Sequence, residues 1–136
     1  MGKGPNEVTV SPDGKKAYSA NWAEGSVSVI DTSTRQVVAT IPAGKGTHGI
    51  TVTKDSRWVW TTNRKSEDLM VIDAERNEVI ATIPVGGYAN HIAFTPDGKE
   101  AYVTSTESVL VVDTLTYEIV AKIPVGKDPH EISLED

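Results

Sequence analysis

The side chains best suited to chemistry in this sequence are its three histidines. His48, His91 and His130 lie about 40 residues apart, and each follows a glycine-containing segment. Neutral imidazole binds divalent metals, and imidazolium binds anions. If the fold brings the three rings together, they could hold a metal, an anion or a haem-like cofactor. The alternative is a structural role, in which each ring hydrogen-bonds the backbone of a neighbouring element. The sequence predicts no cofactor.

A second group of side chains combines aromatic rings with positive charge. Its members are Trp22, Arg64, Lys65 and Tyr88, and Asn90 lies directly before His91. Aromatic faces and cations together bind planar or anionic ligands, so these residues are candidates for ligand binding. The competing explanation is that polar loops ordinarily carry an occasional exposed aromatic. Trp58 is predicted either to cover a neighbouring element or a partner, or to pack within its own strand.

No catalytic arrangement is evident. Asp31, Asp73 and Asp113 recur, but each follows an apolar run and precedes a turn, where a carboxylate caps backbone amides. The sequence has no Ser–His–Asp order and no glycine-rich loop that leads into a helix. His-x-His and cysteine pairs are also absent, so a structural zinc site is not predicted. We therefore predict no catalytic residue and favour a protein without enzymatic activity.

The composition narrows the class of partner. The chain has 136 residues, a formal net charge of −6 and no cysteine. Its lysines and arginines are scattered, which argues against nucleic acid or an anionic membrane as the main partner. The apolar runs stop at three or four residues, too short for a membrane span. These features predict a soluble globular domain without disulfides.

An internal repeat defines the elements that must position the candidate residues. The phrase Ile-Pro-Ala/Val-Gly begins at Ile41, Ile83 and Ile123, and self-similarity at a period near 40 residues indicates a repeat architecture. Each copy predicts four short antiparallel strands joined by tight turns, with first strands at residues 8–10, 50–52 and 92–94. The third strand of each copy is apolar and the fourth alternates, as buried and outer strands do. No segment shows a helical period.

Four-stranded sheets that repeat about every 40 residues predict an all-β fold made of β-propeller blades. We expect blades at about 3–44, 45–86 and 87–126, followed by the first strand of a fourth repeat at 127–136. A β-solenoid is the competing fold, although its repeats are usually shorter. In a propeller, the loops between blades share one face with the loops that join second to third strands. That face would carry all the candidate ligand-binding residues: Trp22, His48, Arg64, Lys65, Tyr88, Asn90, His91 and His130.

The second strands carry a family resemblance. Residues 18–21, 60–63 and 102–105 have the sequences YSAN, WTTN and YVTS. Together with the Pro-Asp-Gly turns and the closing Ile-Pro-Val-Gly, they resemble the YVTN β-propeller repeats, although Ser105 replaces the last Asn of the motif. The resemblance implies a propeller, usually of seven blades, of the kind found in archaeal surface-layer and exported bacterial proteins. It therefore suggests an extracellular, cell-surface or periplasmic location, although the sequence shows no signal peptide. It implies no single activity, because relatives hold haem d1 or act as lactonases.

Three blades do not close a ring, because closed propellers have about four to eight. We expect two copies to form a six-bladed ring as a homodimer, latched by the surplus strand at 127–136. Alternatively, the chain is an excised or engineered fragment of a larger propeller. The functional hypothesis is a non-enzymatic scaffold or binding module whose loop face binds a small molecule or a protein. The alternative is a propeller enzyme domain that holds a metal or haem-like cofactor through His48, His91 and His130.

Overall fold

The computed structural model describes residues 3–127, 129 and 132 of the chain. Throughout this part the regular secondary structure is β-strand, and no helix is present that could cross a membrane. In chain order the strands are β1 (Pro5–Val10), β2 (Lys16–Asn21), β3 (Ser26–Asp31), β4 (Gln36–Pro42), β5 (Thr47–Val52), β6 (Trp58–Asn63), β7 (Asp68–Asp73), β8 (Glu78–Pro84), β9 (Ile92–Phe94), β10 (Glu100–Thr104), β11 (Ser108–Asp113) and β12 (Ile119–Pro124).

Within the described residues the strands form three four-stranded antiparallel sheets, each made of four consecutive strands. Sheet 1 contains β1 to β4, sheet 2 contains β5 to β8, and sheet 3 contains β9 to β12. The predicted all-β fold of three four-stranded antiparallel blades is therefore confirmed. The surplus strand expected at 127–136 lies almost entirely outside the described residues.

The first strands differ from the prediction mainly in length. β1 begins at Pro5 and β5 at Thr47, earlier than the predicted residues 8 and 50. A register irregularity between Pro5 and Glu7, and another between Thr47 and Ile50, lets pairing with the second strand continue past the alternating segment. β1 packs beside β5, and β5 beside β9. The first strands therefore lie next to one another, as inner strands of neighbouring blades do.

The turns between third and fourth strands are alike in all three sheets. In the third, Asp113 Oδ1 accepts hydrogen bonds from the backbone amides of Thr116 at 3.0 Å and Leu115 at 2.8 Å. These two bonds hold the pKa of Asp113 below its usual value. Asp31 and Asp73 accept the same backbone bonds in their own turns. The predicted capping role of the three aspartates is therefore confirmed.

The sheets pack face to face through two apolar clusters. Burying such faces on both sides of a central sheet is the main stabilising contribution in this architecture. Between sheets 1 and 2 the cluster includes Tyr18, Val27, Val29, Ile50, Val59 and Ile72. Between sheets 2 and 3 it includes Trp60, Leu69, Val71, Ile92, Ala101 and Val112. The fourth strands are largely exposed, as their alternating pattern predicts.

Matched repeat positions differ in exposure at the two ends of the array. Ile41 and Ile83 are buried by the sheet that follows their own, whereas Ile123, which pairs with the third strand in the same way, is 43% exposed. In the other direction, Ile50 and Ile92 are buried against the preceding sheet, whereas Val8 is 65% exposed. The outward faces of sheets 1 and 3 therefore carry apolar side chains of the kind that are buried where two sheets face each other.

Candidate ligand-binding face

One face of the array is built from two sets of loops that are tied together by backbone hydrogen bonds. The loop between β2 and β3 is held by Trp22, whose amide donates to the carbonyl oxygen of Gly4 at 2.7 Å. The loop between β6 and β7 is held by Arg64, whose amide donates to the carbonyl oxygen of Gly46 at 2.9 Å. Gly46 has a φ of +69°, and a Cβ there would lie 3.0 Å from the amide nitrogen of Lys65. Glycine at this position thus lets the two loops approach closely.

Three aromatic rings meet on this face, one from each sheet. Trp22 of sheet 1 packs edge-on against His48 of sheet 2, with ring centroids 5.9 Å apart. His48 in turn packs against His91, which directly precedes β9 of sheet 3, with centroids 5.0 Å apart. Edge-to-face packing at such distances is favourable for aromatic pairs. Two of the three predicted histidines are therefore in contact, and His130 lies outside the described residues.

The predicted cations pack over the predicted aromatics. The guanidinium carbon of Arg64 lies 4.8 Å from the ring centroid of Tyr88 and 5.9 Å from that of Trp22. The ammonium of Lys65 lies 5.4 Å from the Trp22 ring centroid. Tyr88 is 47% exposed and Lys65 is also exposed, so the group faces solvent. We call these six contacting side chains the loop cluster: Trp22, His48, Arg64, Lys65, Tyr88 and His91.

A cleft opens beside the loop cluster. It has a volume of about 430 Å³ and extends from Trp22 along the connection between β4 and β5. Its polar lining includes Lys45 and Lys65, with Glu24 as the carboxylate. Two ammonium groups, one carboxylate and an indole make a surface suited to an anionic group attached to an apolar ring.

Two polar residues of β1 orient the histidines. The Asn6 side-chain amide donates to His48 Nδ1 at 2.7 Å and to the His48 carbonyl oxygen at 3.3 Å. His48 Nδ1 is thus an acceptor, so the neutral ring carries its proton on Nε2. Glu7 Oε2 lies 3.3 Å from His91 Nδ1, where protonation of the ring would make an ion pair. Neither Asn6 nor Glu7 was among the predicted site residues, although Asn6 shares the repeat position of His48. Glu7 and His91 are 84 positions apart in different repeats, so no local pattern links them.

Asn90 has a different place from the other candidates. Its side chain is buried and donates to the carbonyl oxygen of Pro129 at 2.8 Å. Its backbone carbonyl accepts from the Thr62 hydroxyl at 2.7 Å, and that hydroxyl accepts from the Gly49 amide at 2.7 Å. A Cβ on Gly49 would collide with the Asn90 carbonyl oxygen, which accounts for glycine there. Asn90 thus joins sheets 2 and 3.

The residues suggested for a metal do not make a metal site in the described part of the chain. No group of three or more His, Asp or Glu side chains lies close enough there to share an ion. His48 and His91 are also engaged at Nδ1 with Asn6 and Glu7. Trp58, the remaining aromatic candidate, is half-buried and packs against the cluster between sheets 2 and 3, with the Arg57 guanidinium 4.9 Å from its ring centroid.

Consecutive four-stranded antiparallel sheets, packed face to face with their first strands side by side, define the chain as a β-propeller repeat protein. Residues 41–136 match the model of the YNCE-like beta-propeller family, and the chain belongs to that family. A comparison with curated protein sequences gives no significant match.

Three solved structures illustrate the similarity of the fold. "Kuenenia stuttgartiensis Hydrazine Synthase" is similar at 30% sequence identity and a TM-score of 0.88, over 91% of this chain and 36% of that one. "Structure of U3-55K" and "Crystal structure of RRP9 WD40 repeats" each match at 17% identity and a TM-score of 0.78, over 85% of this chain. The latter matches cover 38% and 37% of those chains and show the fold alone. This chain therefore spans little more than a third of the length of each of the three.

Proposed function

We propose that the chain is a non-enzymatic β-propeller binding module, and that the loop cluster binds an anionic group attached to a planar ring, on a small molecule or a protein. The observation that carries this proposal is the contact of Trp22, Arg64 and Tyr88 across separate loops, with cation–π distances of 4.8 to 5.9 Å. If these residues were only ordinary polar loop residues, their side chains would not be expected to contact one another across separate loops. The indole and phenol supply apolar faces, and Arg64 and Lys65 supply charge.

The charge balance supports an anionic ligand at this place. The chain as a whole carries −6, whereas the cleft beside Trp22 is lined by Lys45 and Lys65 against Glu24. A local positive field on an acidic protein attracts anions to that position and not to the rest of the surface. The aromatic rings already contact cations, so a planar anion could extend the stack and pair with the same cations.

A matched pair of probes tests the proposal. Naphthalene-2-sulfonate is planar and anionic, and naphthalene-2-sulfonamide has nearly the same shape without the charge. We expect the sulfonate to bind and the sulfonamide to bind at least several-fold more weakly in a titration followed by NMR. Arg64→Gln should weaken the sulfonate roughly three- to tenfold, whereas Lys122→Gln, on the exposed strand β12, should not. Equal binding of both probes, or no effect of Arg64→Gln, would refute the proposal.

We further propose that a second copy of the chain closes the ring. The exposed Ile123 of sheet 3 and the exposed Val8 of sheet 1 occupy repeat positions at which isoleucine is buried at the two junctions between sheets. A two-fold axis along the propeller axis would place sheet 3 of one copy against sheet 1 of the other, twice, and would give six blades. Alternatively, further blades of a longer polypeptide would cover these faces, and the mass of the protein in solution distinguishes the two possibilities.

Within its family, we propose that the chain is of the YVTN type and acts at the cell surface, outside the cell or in the periplasm. The sequences YSAN, WTTN and YVTS at the second strands support the type. Detection of the protein in the periplasmic or surface fraction of its native cells, and not in the cytosol, would support the location.

A further inference from the structure

A second cleft lies on the face opposite the loop cluster, between sheets 2 and 3. It has a volume of about 360 Å³ and lies where the turns after β5, β9 and β11 approach one another. Four aromatic side chains and two carboxylates line it: Trp58, Trp60, Phe94, Tyr117, Asp55 and Asp97. The equivalent cleft between sheets 1 and 2 has about 200 Å³ and a single aromatic, Tyr18.

Three of these aromatics depart from the internal repeat. Trp58, Phe94 and Tyr117 come from two sheets and from three different positions of the repeat, yet they line one cleft. In the other two copies, the position of Trp58 is occupied by Lys16 and Glu100, that of Phe94 by Val10 and Val52, and that of Tyr117 by Arg35 and Asn77. A blade therefore forms without an aromatic residue at any of these three positions. Blade formation does not explain why the three aromatic residues that differ from the repeat line the same cleft.

Tyr117 has a backbone conformation that does not favour tyrosine. Its φ is +64°, in the left-handed region where a bulky side chain is unusual and asparagine is preferred. Asn77 occupies this turn position in sheet 2 with a φ of +53°. The Tyr117 ring packs against Trp60 with centroids 5.8 Å apart, and Trp60 packs against Phe94 at 5.6 Å. Trp60, Phe94 and Tyr117 thus form one connected group of rings that spans both sheets.

The charge of the cleft complements a cation. Asp55 and Asp97 each accept a backbone amide and a threonine hydroxyl through Oδ1, and these bonds lower the pKa of both carboxyls. Among the lining residues, the carboxylates of Asp55 and Asp97 and the ammonium of Lys54 sum to one negative charge. The cations of Arg57 and Lys99 lie outside the lining and act on Asp55 and Asp97 respectively. The Arg57 guanidinium over the Trp58 ring shows that an aromatic at this edge already receives a cation.

We propose that this cleft is a second binding site, for an organic monocation of the quaternary or alkylated ammonium class. Ring faces attract such a cation through their quadrupoles, and the carboxylates of Asp55 and Asp97 compensate its charge. The site is distinct from the loop cluster in its place and in the sign of its charge. The two faces of the propeller would therefore bind ligands of opposite charge.

Choline and 3,3-dimethylbutan-1-ol test the site, because they have the same shape and differ in charge. We expect choline to shift the indole NMR signal of Trp58 and to bind about tenfold more tightly than the alcohol. Phe94→Val and Tyr117→Asn introduce the residues that sheet 2 carries at these positions, so both variants should fold, and each should weaken choline about three- to tenfold.

Leu115→Asn is the matched control, since Leu115 lies in the same turn as Tyr117 but is 87% exposed and does not line the cleft. It should leave choline binding unchanged. Thermal unfolding of each variant checks that the fold is intact. Equal binding of choline and the alcohol, no binding of choline at tens of millimolar, or equal losses in Leu115→Asn and Tyr117→Asn would each overturn the proposal.

Discussion

The guanidinium carbon of Arg64 lies 4.8 Å from the ring centroid of Tyr88 and joins the loop between β6 and β7 to the connection between β8 and β9. The two residues belong to different repeats by position, and neither is needed for a blade to form. Their contact gives the loop face an ordered cation–aromatic pair that is open to solvent, because Tyr88 is 47% exposed. Tyr88 is thus an accessible part of the proposed binding surface, whereas Arg64 is half-buried.

Replacing Tyr88 should separate binding from stability. Tyr88→Leu keeps an apolar side chain but removes the ring face, so we expect naphthalene-2-sulfonate to bind roughly three- to tenfold more weakly. Because Tyr88 is half exposed, the free energy of unfolding should change by no more than about 0.5 kcal/mol. Titration and urea denaturation of the same sample measure both quantities. A large loss of stability with unchanged affinity would mean that the pair only supports the fold.

Thr62 and Thr61 form a matched pair for testing how sheets 2 and 3 are joined. The Thr62 hydroxyl bridges the Gly49 amide and the Asn90 carbonyl, whereas the buried Thr61 hydroxyl has no hydrogen-bond partner among the described residues. Thr62→Val should cost about 1–3 kcal/mol, because it leaves a buried donor and acceptor unpaired. Thr61→Val should be neutral or stabilising. Urea denaturation measures both, and equal losses would contradict the assigned bridge.

The stability of the protein should respond to alkaline pH through Tyr18. Burial, with a smaller contribution from the charge of Asp13, raises the pKa of Tyr18 to about 12, from about 10 in the unfolded chain. Between about pH 10 and pH 12 the folded state therefore keeps the Tyr18 hydroxyl proton, whereas the unfolded state loses it. The associated stability is fully present below pH 10 and is lost as the pH rises toward 12.

Tyr18→Phe tests that linkage directly. The hydroxyl of Tyr18 is buried without a hydrogen-bond partner in the described structure, so the variant should be as stable as the parent, or more so, at pH 7. Its advantage should grow between about pH 10 and 12. Urea denaturation at pH 7 and 11 measures the difference, with Tyr88→Phe as the exposed control. A variant markedly less stable at pH 7 would show that the hydroxyl has a favourable partner.

The mass of the protein in solution tests ring closure by a second copy. Light scattering after size exclusion should give twice the chain mass of 14.6 kDa. Ile123→Asp places a charge on the outward face of sheet 3 and should give the monomer mass. Val120→Asp is the control, because this position is exposed in every sheet, as Val38 and Ile80 show. A monodisperse monomer of the parent chain would contradict the proposed dimer and would favour ring closure by further blades of a longer polypeptide.

The sequence predicted the three sheets because the signals for a blade are local. Alternating strands, Asp-containing turns and the Ile-Pro-Val-Gly phrase recur with every copy, and each acts within a few residues. It also placed eight candidate side chains on one face, since repeat position determines which end of a blade a loop occupies, and six of the eight form the loop cluster. The contact of His48 with Asn6 and that of His91 with Glu7 were not predictable in this way, because each joins two different repeats.

Asn90 illustrates the limit of repeat equivalence. It shares a position with His48, yet its side chain is buried against Pro129, whereas the His48 ring is half-buried among other rings. The two side chains differ in burial because the residues that surround Asn90 differ from those that surround His48. The opposite cleft could have been found from the sequence, since Phe94 and Tyr117 are departures from the repeat. Their convergence with Trp58 required the packing of sheets 2 and 3.

The indole NMR signals of the three tryptophans test the proposed binding face most directly. Trp22 lies in the loop cluster, Trp58 is half-buried at the opposite cleft, and Trp60 is 1% exposed. During a titration with naphthalene-2-sulfonate, the account predicts a saturable shift of the Trp22 signal, with the Trp58 and Trp60 signals unchanged. A Trp22 signal that stays in place while the Trp58 signal moves, or three signals that all stay in place, would contradict it.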